Sequence, residues 1–274
     1  MLRSLVIGIV AFWLMSSIPI FAQSRDLVER ALTGDAKAQY RLGSIYYYGY
    51  GVDQDRPEGA AWWRIAADQG LSVAQYRLAA ELGDAEAQNR LGESYYFGNE
   101  VDQDYVEAIK WFRLAADQGY AWALYNLAVV YSLGEGVDQD FAEAVRLWGM
   151  AADQGNAQAQ FNLGDAYYYG KGIDQNFGEA ARWWGLAASQ GYGRAQNNLG
   201  ILYYAGRGVE RNFVIALMWA SVAASDASGG GPEQNAGRAR TIALIEKNMT
   251  PSQIAEAQVL AQACLSREFR DCGY

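Results

Sequence analysis

Residues 84–119, DAEAQNRLGESYYFGNEVDQDYVEAIKWFRLAADQG, decide the fold, because most of the chain copies this stretch. Recognisable copies of the same 36-residue length stand at 35–70, 120–155, 156–191 and 192–227. A fixed period of tens of residues indicates a stacked repeat protein, in which no single unit buries its apolar surface alone. The sequence therefore predicts a solenoid.

Each copy is predicted to contain two helices. In the copy quoted above, the first helix covers about residues 85–97 and ends at Gly98, and the second follows Asp104 and ends at Gly119. Asp104 and Glu107 have the spacing of a capping box, in which the Asp accepts from a free amide and the Glu reaches back. The predicted fold class is all-α, with antiparallel helix pairs and a C-terminal helical cap.

The apolar positions of the second helix lie on one face. They follow the spacing i, i+3, i+4, i+7 and i+8, at Ala108, Trp111, Phe112, Ala115 and Ala116. In the first helix, Gly92 removes a side chain at a point where a neighbouring helix can come close. Small residues thus allow close helix approach while aromatic rings fill the volume.

These residues resemble the Sel-one-like repeat family, a branch of the tetratricopeptide-like solenoids. The family pattern is A-x3-L-G-x2-Y-x2-G-x-G-V, then an acid, then A-x2-W-[YF]-x2-A-A-x-Q-G. The first copy matches this pattern at Ala38, Leu42, Gly43, Tyr46, Gly49, Gly51, Val52, Asp55, Trp62, Trp63, Ala66, Ala67, Gln69 and Gly70. The match covers about residues 35–227. The resemblance implies a right-handed superhelix that holds other proteins, and it implies no reaction.

The N-terminal residues 1–22 have the pattern of an export signal. Arg3 is followed by a short apolar run at 5–14, and Ala22 offers a small residue before a cleavage point at Gln23. An uncleaved anchor is the alternative, although the apolar run is shorter than the roughly 20 residues that a membrane span needs. We therefore expect a bacterial protein that is exported to the periplasm or secreted, with no membrane span after cleavage.

Three further segments interrupt or close the repeats. Residues 23–34 are predicted to form an N-terminal capping helix, and residues 228–274 a loop followed by capping helices. Residues 71–83 form a shortened unit that lacks 23 of the 36 residues. A single helix in place of a pair predicts a local break in the curvature of the stack. A lone helix packed outside the stack is the alternative.

Cys264 and Cys272 are the only two cysteines of the chain. In an exported protein, an oxidising compartment favours a disulfide between them, and we predict that pairing. A metal site or a reactive thiol is the alternative reading. A metal would need more ligands, and the chain contains no His.

The sequence gives little support to calcium binding, to hydrolytic catalysis or to binding of nucleic acid. The Asp-Gln-Asp motif at 53–55, 102–104 and 138–140 could offer carboxylates to calcium, but its second Asp is placed to cap a helix. Without His there is no Ser–His or Cys–His pair, and no two of the many acids are marked out for glycoside hydrolysis. The net charge of −9 argues against nucleic acid or an anionic membrane as partner. We predict no cofactor and no metal.

A row of tyrosines suggests a binding surface. The tyrosines that share one position of the first helices are Tyr47, Tyr96, Tyr168 and Tyr204. First helices line the inner wall in related solenoids, so these rings, with the neighbouring side chains of Tyr40, Glu93, Phe161 and Asp165, are predicted to line a concave groove. The alternative is that the tyrosines only fill space between repeats.

The combined sequence features favour a non-enzymatic exported adaptor or regulator. Its groove is predicted to bind a protein or peptide partner, such as an envelope protein. Aromatic side chains stack on sugars as readily as on peptides. The alternative function is therefore a protein that binds, or a hydrolase that cleaves, a cell-wall or exopolysaccharide polymer.

Overall fold

The computed structural model describes residues 22–225, 232–269 and 272. Within these residues the chain forms 14 helices and no strand. The predicted export signal, apart from Ala22, and most of the predicted loop that begins at residue 228 lie outside the described residues.

The helices fall into two compact units that meet in the sequence between Gln118 and Gly119. In the first unit, helices α1 to α6 are Ala22–Leu32, Ala36–Tyr48, Arg56–Asp68, Ser72–Glu81, Ala85–Phe97 and Tyr105–Asp117. In the second unit, helices α7 to α14 are Ala121–Leu133, Phe141–Asp153, Ala157–Tyr169, Phe177–Ala188, Gly193–Ala205, Phe213–Ser225, Pro232–Glu246 and Pro251–Ser266. Within each unit, helices that are consecutive up to α13 pack on one another, and α14 packs on α12. The predicted all-α repeat fold is confirmed.

Helix ends are set by the residues that the sequence pattern places there. The second helices begin at side chains that accept a backbone N–H three residues further on, at Asp55, Asp104, Asp140 and Asn176. The first helices end at glycines with φ of 65–74°, at Gly49, Gly98, Gly134, Gly170 and Gly206. This left-handed conformation costs little without a Cβ atom, which explains why glycine recurs at the position.

The predicted capping boxes are complete in only one helix of the described chain. At the start of α14, Thr250 and Gln253 make both bonds of the box. In three repeats, the Glu three residues after the cap pairs instead with a cation another three residues on, as Glu107 with Lys110, Glu143 with Arg146 and Glu179 with Arg182. Glu143 thus contacts Arg146 at 2.6 Å. The ion pair is the competing interaction that turns the carboxylate away from the cap.

The loop between the two helices of a repeat is held by the Gln of the Asp-Gln-Asp motif and its Gln175 counterpart. Gln54 Nε2 donates to the carbonyl of Tyr47 at 2.9 Å, and Gln175 Nε2 donates to the carbonyl of Tyr168 at 2.7 Å. The Gln therefore ties the loop to the end of the first helix while the following Asp or Asn starts the second. Both residues have structural roles.

The cores of three repeats are built on close approach between a glycine and an aromatic ring, at Gly43, Gly92 and Gly164. A Cβ atom on Gly92 would lie 2.6 Å from Phe112 Cδ1, and one on Gly164 would lie 2.6 Å from Trp184 Nε1. Both aromatic side chains are buried. In these repeats the first and second helices therefore touch at a distance that a larger residue would prevent.

The shortened unit forms the single helix α4, which packs between α3 and α5. Its buried side chains include those of Val73, Ala74 and Ala80. The single helix α4 therefore buries apolar surface against both α3 and α5. None of the helices in the described residues is both long and apolar enough to cross a membrane.

The C-terminal residues lie against the last repeats. The sulfur atoms of Cys264 and Cys272 lie at disulfide distance, and both residues are buried. The ring of Phe269 lies against Gly191, where a Cβ atom would come within 2.8 Å of it. The tail therefore covers apolar surface next to α10 and α11.

Gly164→Ala should destabilise the chain, although alanine favours helix formation over glycine by about 1 kcal/mol. The new Cβ atom has no room beside Trp184, and overpacking of this kind costs about 1–3 kcal/mol. Urea denaturation followed by circular dichroism measures the change. Gly149→Ala, in α8 with nothing within 4 Å of its new Cβ, is the matched control and should stabilise slightly. Equal effects of both substitutions would contradict the packing explanation.

Candidate functional site

The tyrosine row predicted to line a groove is half-buried. Each ring contacts an aromatic side chain of the second helix in its own repeat. The centroid distances are 4.5 Å for Tyr47–Trp63, 5.3 Å for Tyr96–Tyr105, 5.2 Å for Tyr168–Trp184 and 5.7 Å for Tyr204–Phe213. These tyrosines therefore contribute to packing within the repeat and present only part of their surface to solvent.

Two of the predicted groove residues belong to the core instead. Tyr40 is 3% exposed and Phe161 is 2% exposed. Each ring stacks on the tryptophan of its own repeat, at 6.3 Å from Trp63 and 6.5 Å from Trp184 respectively. Both rings therefore pack in the core, because an indole ring covers the face that the helical spacing left unassigned, and their assignment to a groove stays a prediction.

A buried arginine that the sequence analysis did not single out lies in the first unit. Arg77 of α4 donates to the hydroxyls of Tyr40 at 3.0 Å, Tyr48 at 2.8 Å and Tyr95 at 2.5 Å. Its guanidinium also lies 5.3 Å from the ring of Trp63 and 4.9 Å from that of Trp111. We call these five aromatic residues and Arg77 the Arg77 cluster. They bring together α2, α3, α4, α5 and α6.

The charge in the Arg77 cluster is balanced inside the fold. Two carboxylates approach the guanidinium, Glu81 at 3.8 Å and Glu107 at 3.9 Å. Burial opposes the charged form, but the surrounding tyrosine side chains outweigh this effect and raise the pKa of Arg77. Burial raises the pKa of Tyr48 and of Tyr95. The cluster therefore holds a permanent cation among neutral hydroxyls.

The sequence pattern gives Arg77 the same place as two exposed arginines. The segments Ala-Gln-x-Arg-Leu put Arg41, Arg77 and Arg90 at one repeat position. The side chains of Arg41 and Arg90 are 53% and 50% exposed, whereas that of Arg77 is 2% exposed. Burial follows from the missing half of the shortened unit, since aromatic side chains of the flanking repeats close around α4. The only sequence signal was that this arginine lies in the shortened copy.

The second unit contains a pocket of about 340 Å³ beside the first helices α9 and α11 and the capping helix α13. Its polar and aromatic lining comes from Phe161, Asp165, Tyr169, Arg194, Asn197, Asn198 and Arg238. Two of these, Phe161 and Asp165, were among the predicted groove residues. Arg238 was not predicted, because α13 lies outside the repeats and carries no repeat motif. Arg194, Asn197 and Asn198 of α11 stand at positions that the repeat pattern leaves open, and they were not predicted either.

Asp165 is the acidic group of the pocket. Its Oδ1 accepts a hydrogen bond from Trp184 Nε1 at 3.1 Å. Burial raises the pKa of this carboxyl to about 6, against the opposing effects of Arg194, the Trp184 hydrogen bond and Lys171. The carboxyl therefore changes its charge near pH 6, within the range where many proteins work.

The cationic side of the pocket is formed by two arginines. The guanidinium of Arg194 lies 4.5 Å from the centroid of the Phe161 ring, and Arg238 is 6% exposed. Close to them, Asn197 Oδ1 is buried and has no hydrogen-bond partner among the described residues. A buried acceptor without a donor costs about 1–3 kcal/mol of stability.

The remaining predicted site residue, Glu93, lies in the first unit and contacts its own helix. Its carboxylate accepts from Asn89 at 3.0 Å and from Arg90 at 3.2 Å. Within the described residues no group of three or more His, Cys, Asp or Glu side chains is placed to hold a metal ion.

Comparison with known proteins identifies the repeats. The Sel1 repeat family model matches residues 36–71, 72–84, 85–120, 123–156, 157–192 and 193–228. The chain belongs to the Sel1 repeat family. Sel1 repeat proteins are typically scaffolds for protein–protein interactions and are generally not enzymes. The resemblance inferred from the sequence is confirmed.

Solved structures of Sel1 repeat proteins resemble the chain. One is a Sel1 repeat protein from Oxalobacter formigenes, with 33% identity and a TM-score of 0.54 over 74% of this chain and 66% of that chain. Another is c5321, a protective antigen of uropathogenic Escherichia coli strains with an SLR fold. It shows 28% identity and a TM-score of 0.45, over 90% of this chain and 56% of that chain. No curated protein sequence matches.

Arg77→Met should lower the free energy of unfolding by about 3–5 kcal/mol, because it leaves buried hydroxyls and carboxylates without their cationic donor. Chemical denaturation followed by tryptophan fluorescence measures the loss. Arg90→Met removes an exposed arginine from the same repeat position, and its cost should stay within about 1 kcal/mol. Similar losses of unfolding free energy in both variants would contradict the prediction that the buried contacts of Arg77 stabilise the fold more than an exposed arginine does.

Asp165→Asn should stabilise the chain at neutral pH by about 1–2 kcal/mol, allowing for solvent screening at a half-buried group. The folded state holds the Asp165 proton more tightly than the unfolded state, because its pKa is raised to about 6. Wild-type stability relative to the variant should therefore fall as pH rises from about 4 to 6 and stay constant above that range.

Urea titrations of both proteins at pH 4, 5, 6 and 7.5 measure this difference. Asp153→Asn, at an exposed position of the second unit, is the control and should show no such trend. A stability difference that grows above pH 7 instead would contradict the assignment.

Proposed function

We propose that the chain is an exported adaptor that holds a protein or peptide segment and catalyses no reaction. Membership of the Sel1 repeat family, whose proteins are typically interaction scaffolds, supports the general role. The pocket of the second unit supports the binding role, and it is the observation on which this proposal depends.

The lining of the pocket suits a polypeptide. Asparagine side chains both donate and accept hydrogen bonds, as the peptide bond does, and Asn197 and Asn198 both line the pocket. Tyr169 at the rim is 62% exposed, and exposed tyrosines often anchor protein partners. Charges of both signs, from Asp165 and the two arginines, can fix the direction of a bound segment.

The same lining gives little support to hydrolysis. Asp165 is the only carboxylate among the pocket residues, whereas most glycoside hydrolases use two. The chain has no His to act as a general base for a serine or cysteine nucleophile. The pocket therefore supports a binding role better than a catalytic role, because it lacks the second carboxylate or the His that catalysis of these kinds would use.

Export is supported by the two ends of the chain. The N-terminal residues 1–22 have the charge, apolar run and small residue of a signal peptide. Cys264 and Cys272 lie at disulfide distance, and lasting disulfides belong to oxidising compartments. We propose an envelope protein as partner, since it would share that compartment.

Site-specific crosslinking in bacterial cells expressing the full chain tests this function. A photoreactive phenylalanine in place of Tyr169 should capture one discrete protein partner, and cell fractionation should place the adduct in the envelope. Tyr169 is preferred to Tyr168 because the ring of Tyr168 packs on Trp184, so its replacement would disturb the core.

The control places the same photoreactive residue at Leu186, an exposed position on the second helix of the same repeat. Equal capture from both positions would contradict a specific surface at the pocket. Retention of the chain on purified peptidoglycan or exopolysaccharide without any captured protein would instead support a polymer-binding role. Recovery of the chain only from the cytoplasm would contradict export.

A further inference from the structure

We propose that a patch of three exposed cations on the second unit binds an acidic segment of the protein partner. The side chains of this cation patch are those of Lys171, Arg194 and Arg207. The inference rests on the proposed function and names the chemistry of the segment that is held. It is carried by the contacts that the three cations make and by their spacing.

The cations of the patch lie against aromatic rings of the fold. The distances from cation to ring centroid are 4.5 Å for Arg194–Phe161, 5.8 Å for Lys171–Phe141 and 5.7 Å for Arg207–Phe177. Arg207 Nη1 also donates to the hydroxyl of Tyr168 at 3.4 Å, which is a long and weak hydrogen bond. The three positive charges are thus held in place by rings rather than by carboxylates.

Cations on the other face of the repeats are paired differently. Among the described residues, the ion pairs of the second unit join Arg146 to Glu143 at 2.6 Å and Arg182 to Glu179 at 3.2 Å, both on second helices. The cation patch takes part in neither pair. In a chain with a net charge of −9, it therefore keeps a local excess of positive charge, which attracts an anionic group.

Stacking on a ring prepares a guanidinium group for a carboxylate. The ring covers one face of the planar group, and the N–H donors at its edge stay directed sideways. These donors can form two parallel hydrogen bonds with the two oxygens of a carboxylate. A stacked side chain has also lost part of its rotational freedom before a ligand arrives, which lowers the entropic cost of binding.

The spacing of two of the cations selects the segment. Phe161, Asp165 and Tyr169 stand at i, i+4 and i+8 of α9 and share one face of that helix. Arg194 stacks on the first ring, and Lys171 lies 5.7 Å from the centroid of the last. Eight residues of helix rise by about 12 Å. In an extended segment, residues i and i+4 point to one side and lie about 13 Å apart. We therefore expect two acidic side chains four residues apart.

Asp165, between the two cations, makes this binding depend on pH. The groups that act on its carboxyl are Arg194 of α11, Lys171 after α9 and the indole N–H of Trp184, and Arg238 of α13 lines the same pocket. Burial raises the pKa of Asp165 to about 6, so at pH 5.5 most of the carboxyl is neutral and no longer repels an acidic segment. The acids of the segment, with pKa values of about 4, remain ionised there. Binding should therefore strengthen from pH 7.5 to pH 5.5.

Three pools of N-acetylated, C-terminally amidated nonapeptides test the inference. The first has Asp at positions 3 and 7, the second has Asn at the same positions, and the third has Asp at positions 4 and 5. All other positions carry random uncharged residues. Affinity selection on the purified full chain at low salt, read by mass spectrometry, should retain the first pool at least tenfold more than the second, and more than the third.

Variants of the patch test which residues are responsible. Arg194→Gln and Lys171→Gln should each reduce retention of the first pool about tenfold, and Asp165→Asn should raise it at pH 7.5 and remove the difference between pH 7.5 and 5.5. Arg182→Gln, which removes an exposed arginine from a second helix, is the matched control and should leave retention unchanged. Thermal melting of each variant confirms that it is folded.

Equal retention of the Asp and Asn pools, or an equal loss in the Arg182 variant, would overturn the inference. Capture of a protein from Tyr169 in cells would still support the proposed function in that case, so the two failures are distinguishable. Equal retention of the two Asp pools would overturn the spacing. Displacement of the retained peptides by polygalacturonate at the same carboxylate concentration would identify an anionic polysaccharide as the ligand and would also overturn the inference. Retention that resists this polymer and is lost in the Arg194 and Lys171 variants supports it.

Discussion

Close contact between a small first-helix residue and a second-helix aromatic ring is the constraint on which the repeats depend. Gly43 meets Trp63 and Gly164 meets Trp184, and in both repeats the indole N–H donates to a first-helix carbonyl, of Tyr40 at 3.1 Å and of Phe161 at 3.2 Å. A buried indole needs such an acceptor, and the helices must touch to provide it. The contact therefore fixes both the helix separation and the orientation of the ring.

This constraint leaves the next residue along the first helix free to vary, and the copies use it differently. Ser44 and Asp165 each accept from the indole N–H of their repeat, at 3.3 Å and 3.1 Å. Glu93 follows Gly92, whose partner Phe112 has no N–H, and its carboxylate turns to its own helix. These three repeats thus present a different polar group at the same position, whereas the other two carry Val129 and Ile201 there. Function can change at this position without disturbing the fold.

The helix pairs, their caps and the packing glycine were predictable because each depends on residues within one repeat. The Arg77 cluster and the pocket were not, because the first needs side chains from five helices and the second needs α13, which has no repeat motif. The same limit explains why the burial of Tyr40 and Phe161 was not predicted. Helical spacing shows which residues share a face, but it does not show whether a ring from another helix covers that face.

The two units contain buried arginines with opposite consequences. Around Arg77, three hydroxyls, two aromatic faces and two carboxylates come from the fold itself, so the cluster is complete without a ligand. The pocket that Arg238 lines also contains the exposed side chain of Arg194 and the carboxyl of Asp165, whose pKa is raised to about 6 by burial. A polar site that the fold completes adds stability, whereas one that is open to solvent can also contact a partner. The difference lies in access: Arg77 is buried, whereas Arg194 and Tyr169 of the pocket are exposed, and this makes the pocket the better binding site of the two.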